Sequence, residues 1–268
     1  LYGTESALLF NSGFDANTGI LPAIAETGDL ILADKLVHAS LIDGMRLSRA
    51  HWFRFKHNHT KHQEKLLQKL ASQYRHVVIV TESIFSMDGD EAPLQELVRL
   101  KRLYPNVLLY VDEAHAFGLR GHRGLGCCEE QGCIQDIDFL VGTLGKAAAS
   151  AGAFVVCRRI VRDYLINRVR PFIFTTALPP VIARWSQYVI SRLPEMGERR
   201  QRLADLSQRL QQALREYRTG SPPTSHIIPL IIGASPGGGR GAEERHRKGS
   251  YGRADRRPTA ASNTHLPR

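Results

Sequence analysis

Val107-Leu-Leu-Tyr-Val-Asp-Glu-Ala-His115, followed by Ile137-Asp-Phe-Leu-Val-Gly-Thr-Leu-Gly-Lys146, decides the fold. Each stretch opens with a short apolar run of the length of a buried strand. The first delivers Asp112 at its carboxyl end, and the second delivers Thr143 and Lys146 in the same way. Open parallel sheets bind ligands outside the carboxyl ends of their strands, so a carboxylate and an amine are expected to meet at one sheet edge.

The segments on either side extend this pattern. Leu8-Leu9-Phe10 leads through Asn-Ser-Gly into a predicted helix over 15–25. Leu30-Ile-Leu-Ala is apolar again, 63–73 reads as helix, and 77–81 is β-branched and short. Leu94–Leu103 repeats apolar residues at 94, 97, 98, 100 and 103, the period of an amphipathic helix. Such alternation predicts an α/β fold with a mostly parallel sheet flanked by helices. Pro179-Pro180 starts a predicted long helix whose register continues, past Pro194, into the Arg/Gln-rich stretch 199–217. Three regions follow: a large domain over 1–190, a connecting helix with the start of an incomplete small domain over 191–233, and a basic tail over 234–268. That tail holds eight Lys/Arg against three acidic residues, half of the formal charge of +10, with almost no aliphatic side chains. It cannot bury enough surface to offset its ordering entropy and is expected to be disordered.

Composition excludes several classes. At 43% hydrophobic and 23% charged residues the body is ordinary globular material, and no apolar run is long enough to span a membrane. A chain starting Leu-Tyr-Gly-Thr-Glu, with neither Met nor a signal pattern, reads as the interior of a longer protein. Cys127, Cys128, Cys133 and Cys157 lack zinc-ribbon spacing and read as reduced structural thiols in a cytoplasmic protein, Cys128-x4-Cys133 included. His51, His57, His59 and His62 cluster without an apolar frame and read as a solvated loop; no metal site is expected. Asp-Glu-Ala-His also occurs as a helicase box, but no Gly-x-x-x-x-Gly-Lys-Ser/Thr loop precedes it. The tail offers only Tyr251 as an aromatic, which disfavours nucleic acid as a partner.

Lys146 and Asp112 together fit pyridoxal phosphate, which needs a lysine to hold its aldehyde and an acid that keeps the pyridine nitrogen protonated. With Ser12-Gly-Phe-Asp-Ala-Asn17, His38-Ala-Ser40, Thr81-Glu-Ser-Ile-Phe-Ser-Met-Asp-Gly89, Asp112-Glu-Ala-His115, Gly142-Thr-Leu-Gly-Lys146 and Phe174-Thr-Thr-Ala-Leu-Pro-Pro180 in order, residues 1–233 resemble the α-oxoamine synthases. These are fold-type-I pyridoxal-phosphate acyltransferases, normally homodimers.

The resemblance implies a role for each matching residue. Lys146 carries the cofactor and moves the substrate's α-proton, Asp112 faces the ring nitrogen, and His38 stacks on the ring. Ser86 and His115 lie near the phenolic oxygen and the reacting carbon. Gly13, Phe14 and Thr143 hold the phosphate, and Thr175 and Thr176 reach it across a dimer interface. Phe10-Asn-Ser-Gly-Phe-Asp-Ala-Asn17, Leu36-Val-His-Ala-Ser-Leu-Ile-Asp-Gly44 and Arg54-Phe-Lys-His-Asn58 look most like members that join L-alanine to a pimeloyl thioester, with glycine and an acetyl thioester as the alternative substrates. Two departures stand out. The family's N-terminal segment is missing, and 234–268 lack the expected small-domain pattern, including its carboxylate-binding arginine. The tail therefore reads as an out-of-frame or otherwise aberrant continuation, and an inactive scaffold subunit is the non-enzymatic alternative.

Overall fold

The computed structural model describes residues 1–217 and 223–230. The expected disorder and aberrant character of 234–268 lie outside the described residues. Seven strands form one sheet: β1 (Ser6–Phe10), β2 (Leu30–Asp34), β3 (His51–Phe55), β4 (Val77–Glu82), β5 (Val107–Asp112), β6 (Phe139–Thr143) and β7 (Ala153–Cys157). Their spatial order is β1-β7-β6-β5-β4-β2-β3, with β3 through β6 parallel and β7 antiparallel to both its neighbours. The helices are α1 (Gly13–Ile24), α2 (Ala39–Leu47), α3 (Thr60–Leu70), α4 (Leu94–Leu103), α5 (Cys127–Glu130), α6 (Arg159–Ile166), α7 (Arg170–Ile173), α8 (Pro180–Arg192) and α9 (Gly197–Ala213). Among the described residues no helix is long and apolar enough to cross a membrane.

Central strands β2 and β4 are buried along their whole length, which is why they read as continuous apolar runs rather than alternating ones. The sequence missed β3, β7 and α2. β3 is a mostly exposed edge strand whose His-Trp-Phe-Arg pattern has no apolar frame of its own. Its tertiary pairing with β2 makes it a strand. The long helix expected from Pro180 is interrupted by a tight 3₁₀ turn, Leu193–Glu195, where Pro194 denies the helix a backbone donor.

His57 departs from the solvated-loop expectation. It bridges two carboxylates, Nδ1 to Asp34 at 2.8 Å and Nε2 to Asp90 at 2.6 Å, and these partners raise its pKa to about 10 against the opposing cost of burial. Asn58, held in the left-handed region at φ 47°, donates its backbone N–H to Asp34 and its amide to Asp90. This cluster ties the end of β2 to the loop that carries Ser86. All four cysteines are buried free thiols. No group of three or more His, Cys, Asp or Glu side chains among the described residues is arranged to hold a metal.

Candidate active site

The strand ends concentrate the chemistry. Glu82, Asp112 and Thr143 terminate the parallel neighbours β4, β5 and β6, and Lys146 follows three residues on. Helix α1 points its N-terminus at the same edge. Ser12 caps it, its Oγ accepting from the Asp15 amide at 3.0 Å, so Gly13 and Phe14 become the first two helical residues. Their amides have no intrahelical partner, and with the positive end of the helix dipole they suit an anion. Gly13 lies against Thr143: a Cβ there would sit 3.8 Å from the threonine's Oγ1. Asn11, just before the cap, donates its amide to Thr175 Oγ1 at 3.0 Å and to the Thr176 carbonyl at 2.7 Å. Gly13, Phe14 and Thr143 thus meet at the head of α1, while Thr175 and Thr176, expected to act across a dimer interface, are held by Asn11 of their own chain.

One turn along the helix, buried Asn17 links this end to the other. Its Nδ2 donates to Asp112 Oδ2 at 2.8 Å and to Ser40 Oγ at 2.9 Å, while its Oδ1 accepts from Tyr110 Oη at 2.7 Å. The Ala114 amide donates to Asp112 Oδ1 at 2.9 Å, so both carboxylate oxygens are held. Ser40 Oγ also meets His38 Nδ1 at 2.8 Å, which orients an imidazole that is otherwise exposed. His38, Ser40, Asn17 and Asp112 form one continuous hydrogen-bonded line beneath the open face. Gly44 lets α1 and α2 approach this closely, since a Cβ there would press on the Asn17 carbonyl.

Lys146 Nζ donates to His115 Nε2 at 2.8 Å. Burial, with Lys146, His226 and His38 nearby, drives His115 down to about 4, so the imidazole is neutral near pH 7 and can accept that hydrogen bond. Desolvation lowers the Lys146 pKa, and Asp112 and Glu82 oppose the shift. Burial and then the Asp112 charge raise Glu82 to about 8, against the His38 amide and Lys146. Ser86 is half-buried on the turn after β4 and makes no hydrogen bond among the described residues.

The second acid of Asp-Glu-Ala-His has a different use. Glu113 is fully buried and accepts from Ser83 Oγ and the Cys127 and Cys128 amides, which staples the loop after β5 to the start of α5. Asn17, Ser40, Tyr110 and Glu82 were missed as site residues. The only signal available was polar residues inside otherwise apolar elements, Asn17 in α1 and Glu82 at the end of β4.

A family model for class I and II aminotransferases matches residues 1–239. The chain belongs to the class I and II aminotransferase family. A curated relative from Pasteurella multocida, named putative 8-amino-7-oxononanoate synthase, is 50% identical over 264 residues, covering 98% of this chain and 68% of its own length. That match reaches into 234–268, which the sequence reading had set outside the family pattern. Serine palmitoyltransferase from S. paucimobilis, solved with a PLP–myriocin adduct, superposes with a TM-score of 0.87 at 31% identity, over 93% of this chain and 65% of that one. An 8-amino-7-oxononanoate synthase from Francisella tularensis gives 0.79 at 29%, over 96% and 75%. The chain therefore spans about two-thirds of the length of its curated relatives.

The class I and II aminotransferase cofactor is pyridoxal phosphate, and the residues here fit it. The amine of Lys146, a buried carboxylate with both oxygens held, and an unpaired helix N-terminus lie at one sheet edge, the groups that an aldehyde, a ring nitrogen and a phosphate would need.

Proposed function

We propose that this chain carries the catalytic site of a pyridoxal-phosphate-dependent α-oxoamine synthase, which condenses L-alanine with a pimeloyl thioester in biotin biosynthesis. The balanced reaction joins the α-carbon to the acyl carbonyl carbon and releases the thiol, carbon dioxide and 8-amino-7-oxononanoate. The observation that carries the reading is the Lys146–His115 contact beside an Asp112 whose oxygens are both fixed. The choice of substrates rests on relatives about half identical in sequence and named for that reaction.

Bound pyridoxal phosphate supplies an electron sink for the substrate α-carbon. Lys146 Nζ takes the α-proton, a task favoured by its lowered pKa, and neutral His115 steers the amine through its Nε2. Asp112 holds the proton on the pyridine nitrogen, because an opposite charge close by favours the cationic ring. The Gly13 and Phe14 amides and the Thr143 hydroxyl would hold the phosphate, and His38 would lie against the ring. Ser86 is assigned to the phenolic oxygen.

Thr175 and Thr176 are assigned to the phosphate from the neighbouring subunit of a homodimer. The exposed apolar side chains around them, Phe174 at 72%, Val181 at 71% and Phe14 at 49%, support a second copy as the cover.

Incubating the purified chain with cofactor, L-alanine and pimeloyl-coenzyme A, against glycine and acetyl-coenzyme A, tests the reading by thiol release and product mass. Faster turnover of the alanine–pimeloyl pair is expected. Turnover of only the glycine–acetyl pair would move the chain to the glycine C-acetyltransferase reaction, and binding of cofactor and substrates without turnover of either pair would make it a scaffold.

A further inference from the structure

Two carboxyl groups end adjacent parallel strands at matched positions, Glu82 on β4 beside Asp112 on β5. Glu82 is 2% exposed and Asp112 is 6% exposed, so water does little to separate their charges. Their hydrogen bonds are unequal. Asp112 receives a donor on each oxygen, from Asn17 and from the Ala114 amide. Glu82 receives one, the His38 backbone N–H on Oε1. That contact sits at the N-terminus of α2, where His38 is also the cap residue. Two buried carboxylates side by side cannot both keep their charge cheaply, and the one with fewer donors takes the proton.

We propose that Glu82 is a positioning residue that stands beside Asp112 as a neutral carboxylic acid, seating His38 and leaving Asp112 the only negative charge presented to the cofactor ring. The role of Asp112 rests on the function proposed above; the protonation of Glu82 does not.

The charged groups facing Glu82 come from every element around it. Asp112 lies on β5, Asp34 at the end of β2 and Lys146 after β6, with the His38 amide on α2; Asp34 is itself neutralised in part by His57. Above the Glu82 pKa of about 8 a second negative charge would appear at the sheet edge. It would raise the pKa of Lys146, leaving less of the amine free to take a proton, while the bond from the His38 amide, which favours the charged carboxylate, would tighten. Glutamine keeps the shape and the acceptor for His38 without the charge, so Glu82→Gln fixes the neutral state at every pH.

The test is infrared spectroscopy of the full 268-residue chain, free of cofactor, through a pH titration. A carboxylic-acid carbonyl band present at pH 7 is expected to be absent in Glu82→Gln, to fade in the parent as pH rises through about 8, and to weaken at pH 7 in Asp112→Asn. In parallel, the ratio of cofactor affinities of the parent and Glu82→Gln is expected to change about tenfold between pH 7 and pH 9.5, the effect of one added buried charge. An identical band in Glu82→Gln, or no band at pH 7, would overturn the proposal. A Glu82 band whose loss leaves cofactor affinity equal in both proteins would keep the neutral acid and overturn its effect on the ring, and with it the assignment of Asp112.

Discussion

Replacing Asn17 with alanine removes three hydrogen bonds at once, and the structure sets the size of the effect. The bond to the Asp112 carboxylate contributes about 1.5–3 kcal/mol, and the bond to Ser40 about 1 kcal/mol. The third loss strands the Tyr110 hydroxyl, which has no water to turn to because Tyr110 is fully enclosed, at about 1–3 kcal/mol. Asn17→Ala is therefore expected to destabilise the chain by about 4 kcal/mol. Tyr110→Phe alone should cost about 1 kcal/mol. In the double variant the stranded hydroxyl is gone, so the two changes should fall short of additivity by about 1–2 kcal/mol. Urea midpoints measured at one protein concentration, with m-values compared, supply the numbers. A cost below about 1 kcal/mol for Asn17→Ala, or simple additivity with Tyr110→Phe, would show that Asn17 is not the bridge between α1 and Asp112.

Four further outcomes are expected. Glu113→Ala should destabilise by about 3–5 kcal/mol in urea titrations because it leaves the Ser83 hydroxyl and the Cys127 and Cys128 amides without an acceptor, a cost of the size seen when buried charged partners are removed. His57 has its folded pKa raised to about 10 from an unfolded value of about 6.5, so its stabilisation is complete below about pH 6.5 and is lost as pH rises toward 10. The melting-temperature gap between the parent and His57→Gln should accordingly narrow from pH 6 to pH 10. Gly44→Ala should push α2 off the Asn17 carbonyl and weaken pyridoxal phosphate binding by about tenfold or more, read by fluorescence titration. His115→Phe removes the acceptor for Lys146 without removing Lys146, so cofactor attachment should persist while turnover falls by about 10²–10⁴, the range of one acid–base group.

The parallel heart of the sheet was legible because strands buried on both faces are continuous apolar runs, as residues 30–33 and 77–80 are. The antiparallel insertion of Ala153–Cys157 and the edge strand His51–Phe55 were not, because both owe their form to neighbours distant in sequence. At the site, Lys146, Asp112 and Thr143 stood out at strand ends by position and type, and the resemblance added Gly13 and His115 as expected ligand contacts. The groups that hold them did not, since Asn17 and Ser40 act through side-chain bonds between helices that no spacing rule encodes. Glu113 shows the converse. It stands in the same motif as Asp112 and His115 and was given no role there, and its burial against three donors shows a structural staple.

The central claim is that Lys146 is the residue that carries pyridoxal phosphate. Borohydride reduction of the cofactor-loaded full chain, followed by peptide mass mapping, tests it directly. The pyridoxyl mass is expected on Lys146 alone, lost in Lys146→Ala and reduced when L-alanine is added first. A pyridoxyl mass on another lysine, or equal labelling of the parent and Lys146→Ala, would contradict the account.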